Sequence, residues 1–182
     1  MKIKKNADLG RMSVEDFRQS EKNPLTVVLD NVRSMHNVGS VFRTADAFLL
    51  SGIWLCGYTP RPPHRDIHKT ALGATETVEW HYAEHTLDAV LTLKSEGCRI
   101  FAVEQVEKSI PLQEFSFDFS EKLAVIFGNE VVGIDEEVLK LCDGFIEIPQ
   151  FGMKHSLNVS VAAGFVLWEL VRGRGGPIGN RQ

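Results

Sequence analysis

The sequence predicts an α/β domain with a mostly parallel sheet flanked by helices, and three observations carry that expectation. Short apolar runs of strand length alternate with helix-period segments along most of the chain. At 182 residues the chain is long enough for one domain with a real core. Apolar residues make up 43% and charged residues 24%, the balance of a soluble globular protein rather than a disordered one.

The elements follow in order. Residues 1–24 form a polar leader, in which Ser13 of "SVEDF" offers the cap of one short helix. "LTVVLD" (25–30) reads as a buried strand. A helix over 37–50 follows, because Val38, Val41, Phe42, Ala45, Phe48 and Leu49 fall on one core stripe. Further apolar strands are expected at "GIWLCG" (52–57), "ETVEWHY" (76–82), "CRIFAVE" (98–104), "LAVIFG" (123–128) and "GFIEIP" (144–149). Further helices are expected at about 66–72, 86–96, 135–142 and 157–171. Residues 105–120 read as a longer connection with Pro111 and several Phe. The helix over 157–171 is apolar nearly all round and needs cover on both sides, so a second subunit is expected to supply the second cover. No repeat or linker divides residues 25–172, and the Gly-rich, basic tail 173–182 is expected to be flexible.

Composition narrows the function. No run approaches a membrane span, and the basic start lacks the apolar core of a secretory signal, so the cytoplasm is the expected compartment. Cys56, Cys98 and Cys142 lie far apart in apolar runs and read as reduced core residues. Formal net charge is −4, yet basic residues gather in 1–23, in "RPPHRDIHK" (61–69) and in the tail "VRGRGGPIGNRQ". These stretches either contact phosphates or are ordinary solvated surface. There is no G-x-G-x-x-G after the first strand and no P-loop. His64/His68 and His81/His85 stand at i, i+4 without Cys or carboxylate partners at metal spacing, so no metal is expected.

Three stretches hold polar residues where packing does not demand them. In "HNVGSVFRTAD" (36–46) Asn37 is a good N-cap, Gly39 allows close approach to the first turn, and Arg43 points away from the core stripe. A capped helix with a solvent-facing Arg explains the same residues. In "LAVIFGNEVVGIDEEVLKLC" an apolar strand ends in Gly128-Asn129-Glu130, where open α/β sheets bind ligands. Asp135 caps the next helix, with Glu136 and Glu137 suiting its dipole. In "FIEIPQFGMKHSLNVSVAAG" Ser156 can cap the buried helix, whereas Asn158 just inside it is harder to explain.

Together, each after a strand and in this order, "NVGSVFR" (37–43), "FGNEVVGID" (127–135) and "IEIPQFGMKHSLNVSVAAG" (146–164) resemble the SpoU-type (TrmH-like) RNA 2′-O-ribose methyltransferases of the SPOUT superfamily. The resemblance runs from about residue 25 to 171. It implies a C-terminal trefoil knot, S-adenosylmethionine bound bent in the knot loops by backbone groups, RNA as substrate and a homodimer using the last helix. By motif match it puts Arg43, Asn37, Glu130, Ser156 and Asn158 on the catalytic side. The cofactor loops would hold Phe127, Gly128, Asn129, Ile148, Gln150, Gly152, Ser156 and Leu157, with Gln150 standing where the family often has Met.

An Arg stays protonated, with a pKa above about 12, so Arg43 is expected to clamp a phosphate and stabilise the developing alkoxide. The proton would leave through the phosphate, Asn37 or water. Transfer RNA is expected over ribosomal RNA, because a small dimer without an accessory domain suits a compact substrate. A silent RNA-binding protein of the same fold is the competing reading, and a flavodoxin-like nucleotide enzyme is disfavoured by the missing phosphate loop.

Overall fold

The computed structural model describes residues 12–154 and 156–172. The leader's first eleven residues and the tail 173–182 lie outside the described residues, and so do the expectations made for them.

The element order is α1 (Val14–Gln19), β1 (Asn23–Asp30), α2 (Met35–Ala47), β2 (Leu50–Cys56), α3 (Arg65–Ala71), α4 (Ala74–Thr77), β3 (Trp80–Ala83), α5 (Thr86–Ser95), β4 (Cys98–Val103), β5 (Ile110–Pro111), β6 (Lys122–Phe127), α6 (Glu136–Leu139), β7 (Gly144–Glu147) and α7 (Val159–Arg172). The strands form one 7-stranded sheet in the order β3-β2-β1-β6-β4-β7-β5. Every neighbouring pair is parallel, so the carboxyl ends share one edge.

Both faces of the sheet are covered. Leu25, Val27 and Leu29 of β1 pack in the layer that holds α2, α3 and α7, while Val28 packs with α5 and α6. β6 divides the same way, with Leu123, Val125 and Phe127 on the first side and Ala124 and Ile126 on the second. Strands buried on both faces are apolar throughout, which is why these two runs lack surface alternation.

Several elements differ from the sequence expectation, each for a tertiary reason. α2 begins at Met35 because Ser34, not Asn37, caps it: the Asn37 N–H donates to Ser34 Oγ at 3.3 Å. Asn37 therefore lies inside the first turn with its side chain free for other bonds. The strand expected at 76–82 is shortened, because Ala74–Thr77 is helical. There the Thr77 hydroxyl donates to Asp46 at 2.5 Å, and Arg18 donates to the Glu76 carbonyl at 2.9 Å. The 105–120 connection contains β5, which pairs with β7 at the sheet edge, where Pro111 costs no interior ladder bond. Asn158 rather than Ser156 caps α7, its Oδ1 accepting from the Ser160 N–H at 3.0 Å.

Gly39 also has a different partner from the one expected. A Cβ there would lie 2.1 Å from Thr70 Oγ1 and 2.3 Å from the Ile67 carbonyl oxygen. What approaches the first turn of α2 is α3 of the same chain, not a substrate. The Thr70 hydroxyl completes the contact by donating to the His36 carbonyl at 3.1 Å.

Cys56 and Cys98 are buried, Cys142 is half-buried, and all three are free thiols. Burial pushes Cys56 up to about 12 and Cys142 up to about 11, so neither is a thiolate near neutral pH. α7 buries one side, including Val166, Leu167 and Leu170, but leaves Val161, Phe165 and Trp168 46%, 53% and 49% exposed. Those three positions fall on one helix face.

The Ile67 carbonyl cannot yield to a new methyl group unless α3 shifts. Gly39→Ala is therefore expected to cost about 1–3 kcal/mol, the usual scale of overpacking. The measurement is the urea midpoint, and Gly39→Val should lower it further.

Candidate active site

The β1–β6 register sets Leu29 beside Phe127, so the loops leaving these two strands start side by side. Glu130 from the second loop reaches back to the first. Its carboxylate accepts from the Arg33 N–H at 3.1 Å, the Ser34 N–H at 3.4 Å and the Asn37 side-chain amide at 3.1 Å. Partial burial raises the Glu130 carboxyl, but these hydrogen bonds outweigh it and hold the group below the usual carboxylate value.

Asn37 carries the connection onward. Its Oδ1 accepts from the Asn158 amide at 3.1 Å and from the Ser160 hydroxyl at 3.4 Å. Ser160 also donates its hydroxyl to Asn158 Oδ1 at 2.7 Å. A continuous chain, Glu130–Asn37–Asn158–Ser160, thus joins the three polar stretches noted in the sequence. Asn37 is buried at 8% exposure, and both ends of its amide are occupied. An amide so placed orients its neighbours.

Asn129 is committed as well. Its amide donates to the Asn31 carbonyl at 2.8 Å and to the Tyr58 hydroxyl at 2.9 Å. Its Oδ1 accepts from the N–H groups of Val131 and Val132 at 2.8 and 3.0 Å. Asn129 and Gly133 exchange two backbone hydrogen bonds, each 3.0 Å. Gly128 is required by this fold-back, since a Cβ would stand 2.5 Å from the Gly133 carbonyl carbon.

Beyond the ends of β4, β6 and β7 lies a cavity of about 270 Å³. Phe127, Gly128, Asn129, Glu130, Ile148, Gln150, Ser156 and Leu157 line it. Gly152 does not; it borders an adjoining cleft with Gln105 and Lys154. Asn37 and Asn158 stand behind the wall and reach it through Glu130 and the start of α7. Arg43 is exposed, lines no described cavity and makes no hydrogen bond or ion pair among the described residues.

The sequence reading missed Glu104 and Gln105 at the end of β4, and Ser160 in α7. Their signal was position, at a strand's carboxyl end and one turn into a marked helix. It also missed Asp30, buried at 1% exposure. Asp30 accepts from the Thr86 hydroxyl at 2.5 Å, the Asn31 amide at 2.8 Å and the Asp135 N–H at 3.2 Å, tying β1 to α5 and α6. Three carboxylates, Glu104, Glu130 and Glu147, line the cavity, with no Lys or Arg among its described lining residues, so it suits a cationic or neutral ligand.

Fold and site together define an α/β enzyme domain that holds a ligand at the carboxyl edge of a parallel sheet. The chain belongs to the SpoU rRNA methylase family, whose model matches residues 24–168. The tRNA (guanosine(18)-2′-O)-methyltransferase of Thermus thermophilus is 33% identical over 172 residues, covering 94% of this chain and 87% of that enzyme. The crystal structure of the A. aeolicus TrmH/SpoU tRNA-modifying enzyme matches with a TM-score of 0.78 at 27% identity, over 88% of this chain and 80% of that one. An AdoMet-bound rRNA methyltransferase from Sinorhizobium meliloti matches at TM-score 0.76 and 28% identity, over 86% of this chain and 59% of that one.

The depressed Glu130 value has a pH signature. Its stabilisation is fully present above the unfolded value near 4.5 and is lost as pH falls through the lower folded value. Urea midpoints measured from about pH 6 down to about pH 3 should therefore fall more steeply for the wild type than for Glu130→Gln. Parallel curves would mean that the carboxylate does not anchor the loops.

Proposed function

We propose that this chain transfers a methyl group from S-adenosylmethionine to a ribose 2′-hydroxyl of transfer RNA. The observation that carries the reading is the Glu130–Asn37–Asn158 chain, which links three separate motifs at the wall of one acid-lined cavity. Family membership sets the reaction class, the Thermus relative supports tRNA, and the AdoMet-bound neighbour supports the donor.

The cavity fits that donor chemically. S-adenosylmethionine carries a sulfonium and an ammonium against one carboxylate, and the described lining offers three carboxylates. Backbone groups of Phe127–Gly128, Ile148, Gln150 and Ser156–Leu157 would hold it, with Gly152 contributing from the adjoining cleft. When bound, it supplies an electrophilic methyl group. The loops' task is to fix the acceptor hydroxyl about 3 Å from that methyl, largely an entropic contribution.

Glu130 orients rather than accepts the proton, because a carboxylate held below its usual value is a weak base. Asn37 positions Glu130 and Asn158. Arg43, about 9 Å along α2 from Asn37, acts from outside the donor cavity. Its guanidinium clamps the substrate phosphate and stabilises the developing alkoxide, while the proton leaves to phosphate or water. A second copy docked on Val161, Phe165 and Trp168 completes α7's cover and forms the homodimer. The knotted threading of the C-terminal loops and a cytoplasmic location belong to the same reading; among the described residues no helix is long and apolar enough to cross a membrane.

The test uses purified full chain, methyl-labelled S-adenosylmethionine, unmodified total tRNA and, separately, ribosomal RNA. Label is expected on one tRNA ribose, mapped by nuclease digestion and mass spectrometry. Arg43→Ala should lower incorporation by about 10²-fold or more while donor affinity holds, as for loss of a transition-state donor. Near-normal rates in Arg43→Lys would show that the guanidinium fork is unnecessary. Label only on ribosomal RNA would overturn the tRNA assignment. Donor-free RNA binding without label would favour the silent binding protein.

A further inference from the structure

The basic stretch at 61–69 takes no part in the donor cavity, yet the structure gives it a defined setting. It borders two joined depressions. The first, about 440 Å³, is walled by Tyr58, Arg61, Pro62 and His64. The second, about 530 Å³, is walled by Pro62, His64, Arg65 and Trp80. Pro62 and His64 belong to both, so the two form one groove. Each lies within the range of pockets that take small ligands, about 300–1,000 Å³.

The groove is physically tied to the reaction centre. The Tyr58 hydroxyl accepts from Asn129, a wall residue of the donor cavity, and the Tyr58 N–H donates to Asn31 Oδ1 at 3.2 Å. Tyr58 nonetheless keeps 60% of its surface exposed. Tyr58 thus borders the first depression while bonding a wall residue of the donor cavity.

The groove's chemistry matches single-stranded nucleic acid. The Arg61 guanidinium lies 3.9 Å from the centre of the Tyr82 ring, a cation–π contact. Arg61 has no carboxylate partner among the described residues. His64 Nδ1 accepts from the Asp66 N–H at 3.2 Å, so the neutral ring carries its proton on Nε2 as a second donor. Asp66 is already neutralised by Lys69 at 2.8 Å and Arg65 at 3.5 Å. Trp80, half-buried against the core, lines the second depression. Glu76 also lines the second depression, and it can accept N–H groups that a base carries and a phosphate does not.

We propose that this groove docks the RNA nucleotides next to the methylated one: a base stacks on Trp80, and Arg61 takes an adjoining phosphate. Stacking tolerates any base, so the groove supplies grip and register rather than base identity. It gives the domain a substrate surface apart from the basic segments at either end of the chain. The proposal rests on the RNA methyltransferase reading above.

The experiment measures affinity for unmodified tRNA across a salt series, alongside S-adenosylmethionine affinity and oligomeric state. Trp80→Ala is expected to weaken tRNA binding about tenfold, with Trp80→Phe restoring most of it. Arg61→Ala is the companion that keeps the test sound if Trp80→Ala folds poorly, because Arg61 sits on the surface. It should lower affinity and reduce the slope of log affinity against log salt by about one, as for one lost phosphate contact. Neither variant should change donor affinity. If the wild type methylates tRNA and both variants bind it unchanged, the groove is not an RNA site and only this inference falls. If the variants shift the oligomeric state instead, the groove is an interface between copies, which overturns the inference equally. If the wild type neither binds nor methylates tRNA, the functional reading itself fails.

Discussion

The carboxylate of Glu130 is the joint on which the candidate site depends. It draws two backbone N–H groups of the β1–α2 loop and one side-chain amide of α2 onto the loop that follows β6. Those loops are separated by about a hundred residues in sequence, and only the parallel pairing of β1 with β6 brings their origins together. Without that carboxylate the Arg33 and Ser34 N–H groups just before α2 would need water, and Asn37 would lose a side-chain partner. Asn37 in turn presents its oxygen to Asn158 and Ser160, so the start of α7 takes its place from the same joint.

Around this joint, polar groups are buried only where every partner is supplied. Asp30, Asn37 and Asn129 are the buried polar residues nearest the strand ends, and each accounts for its donors and acceptors internally. A buried polar group left unpaired costs more than its bond contributes when made. The site is consequently stiff on the protein side and open on the ligand side. Arg43, by contrast, is exposed and has no hydrogen-bond or ion-pair partner among the described residues. The two depressions also differ in charge: Glu104, Glu130 and Glu147 line the cavity beyond β4, β6 and β7, whereas Arg61, His64 and Arg65 border the groove at 58–80.

α7 shows the same logic at the scale of an element. Its buried side, with Val166, Leu167 and Leu170, completes the core against α2, while at the edge of its exposed face Trp168 meets Phe48, the residue after α2, with ring centroids 5.9 Å apart. Its other side keeps three large apolar residues in water, a cost that association with a second copy would relieve.

Much of this was legible in the residues. Uninterrupted apolar runs such as "LTVVLD" and "LAVIFG" can only be strands covered on both faces, which predicts helices on each side and a parallel sheet. The polar residues of the three motifs stood out because packing did not need them. What local pattern could not reveal was partnership. Nothing near Asn37 says that Ser34 would cap the helix and release the amide, or that Gly39 would be spent on α3 rather than on a ligand. "TETVEW" alternates like a strand, but its first half bonds to Asp46 and Arg18 and becomes helical. Asp30 read as the end of a strand and is the knot of a buried network. Periodicity and composition act over a few residues and determine which segments are strand, helix and core. Hydrogen-bond pairing across tens of residues depends on which strand lies beside which, and only the tertiary structure decided that.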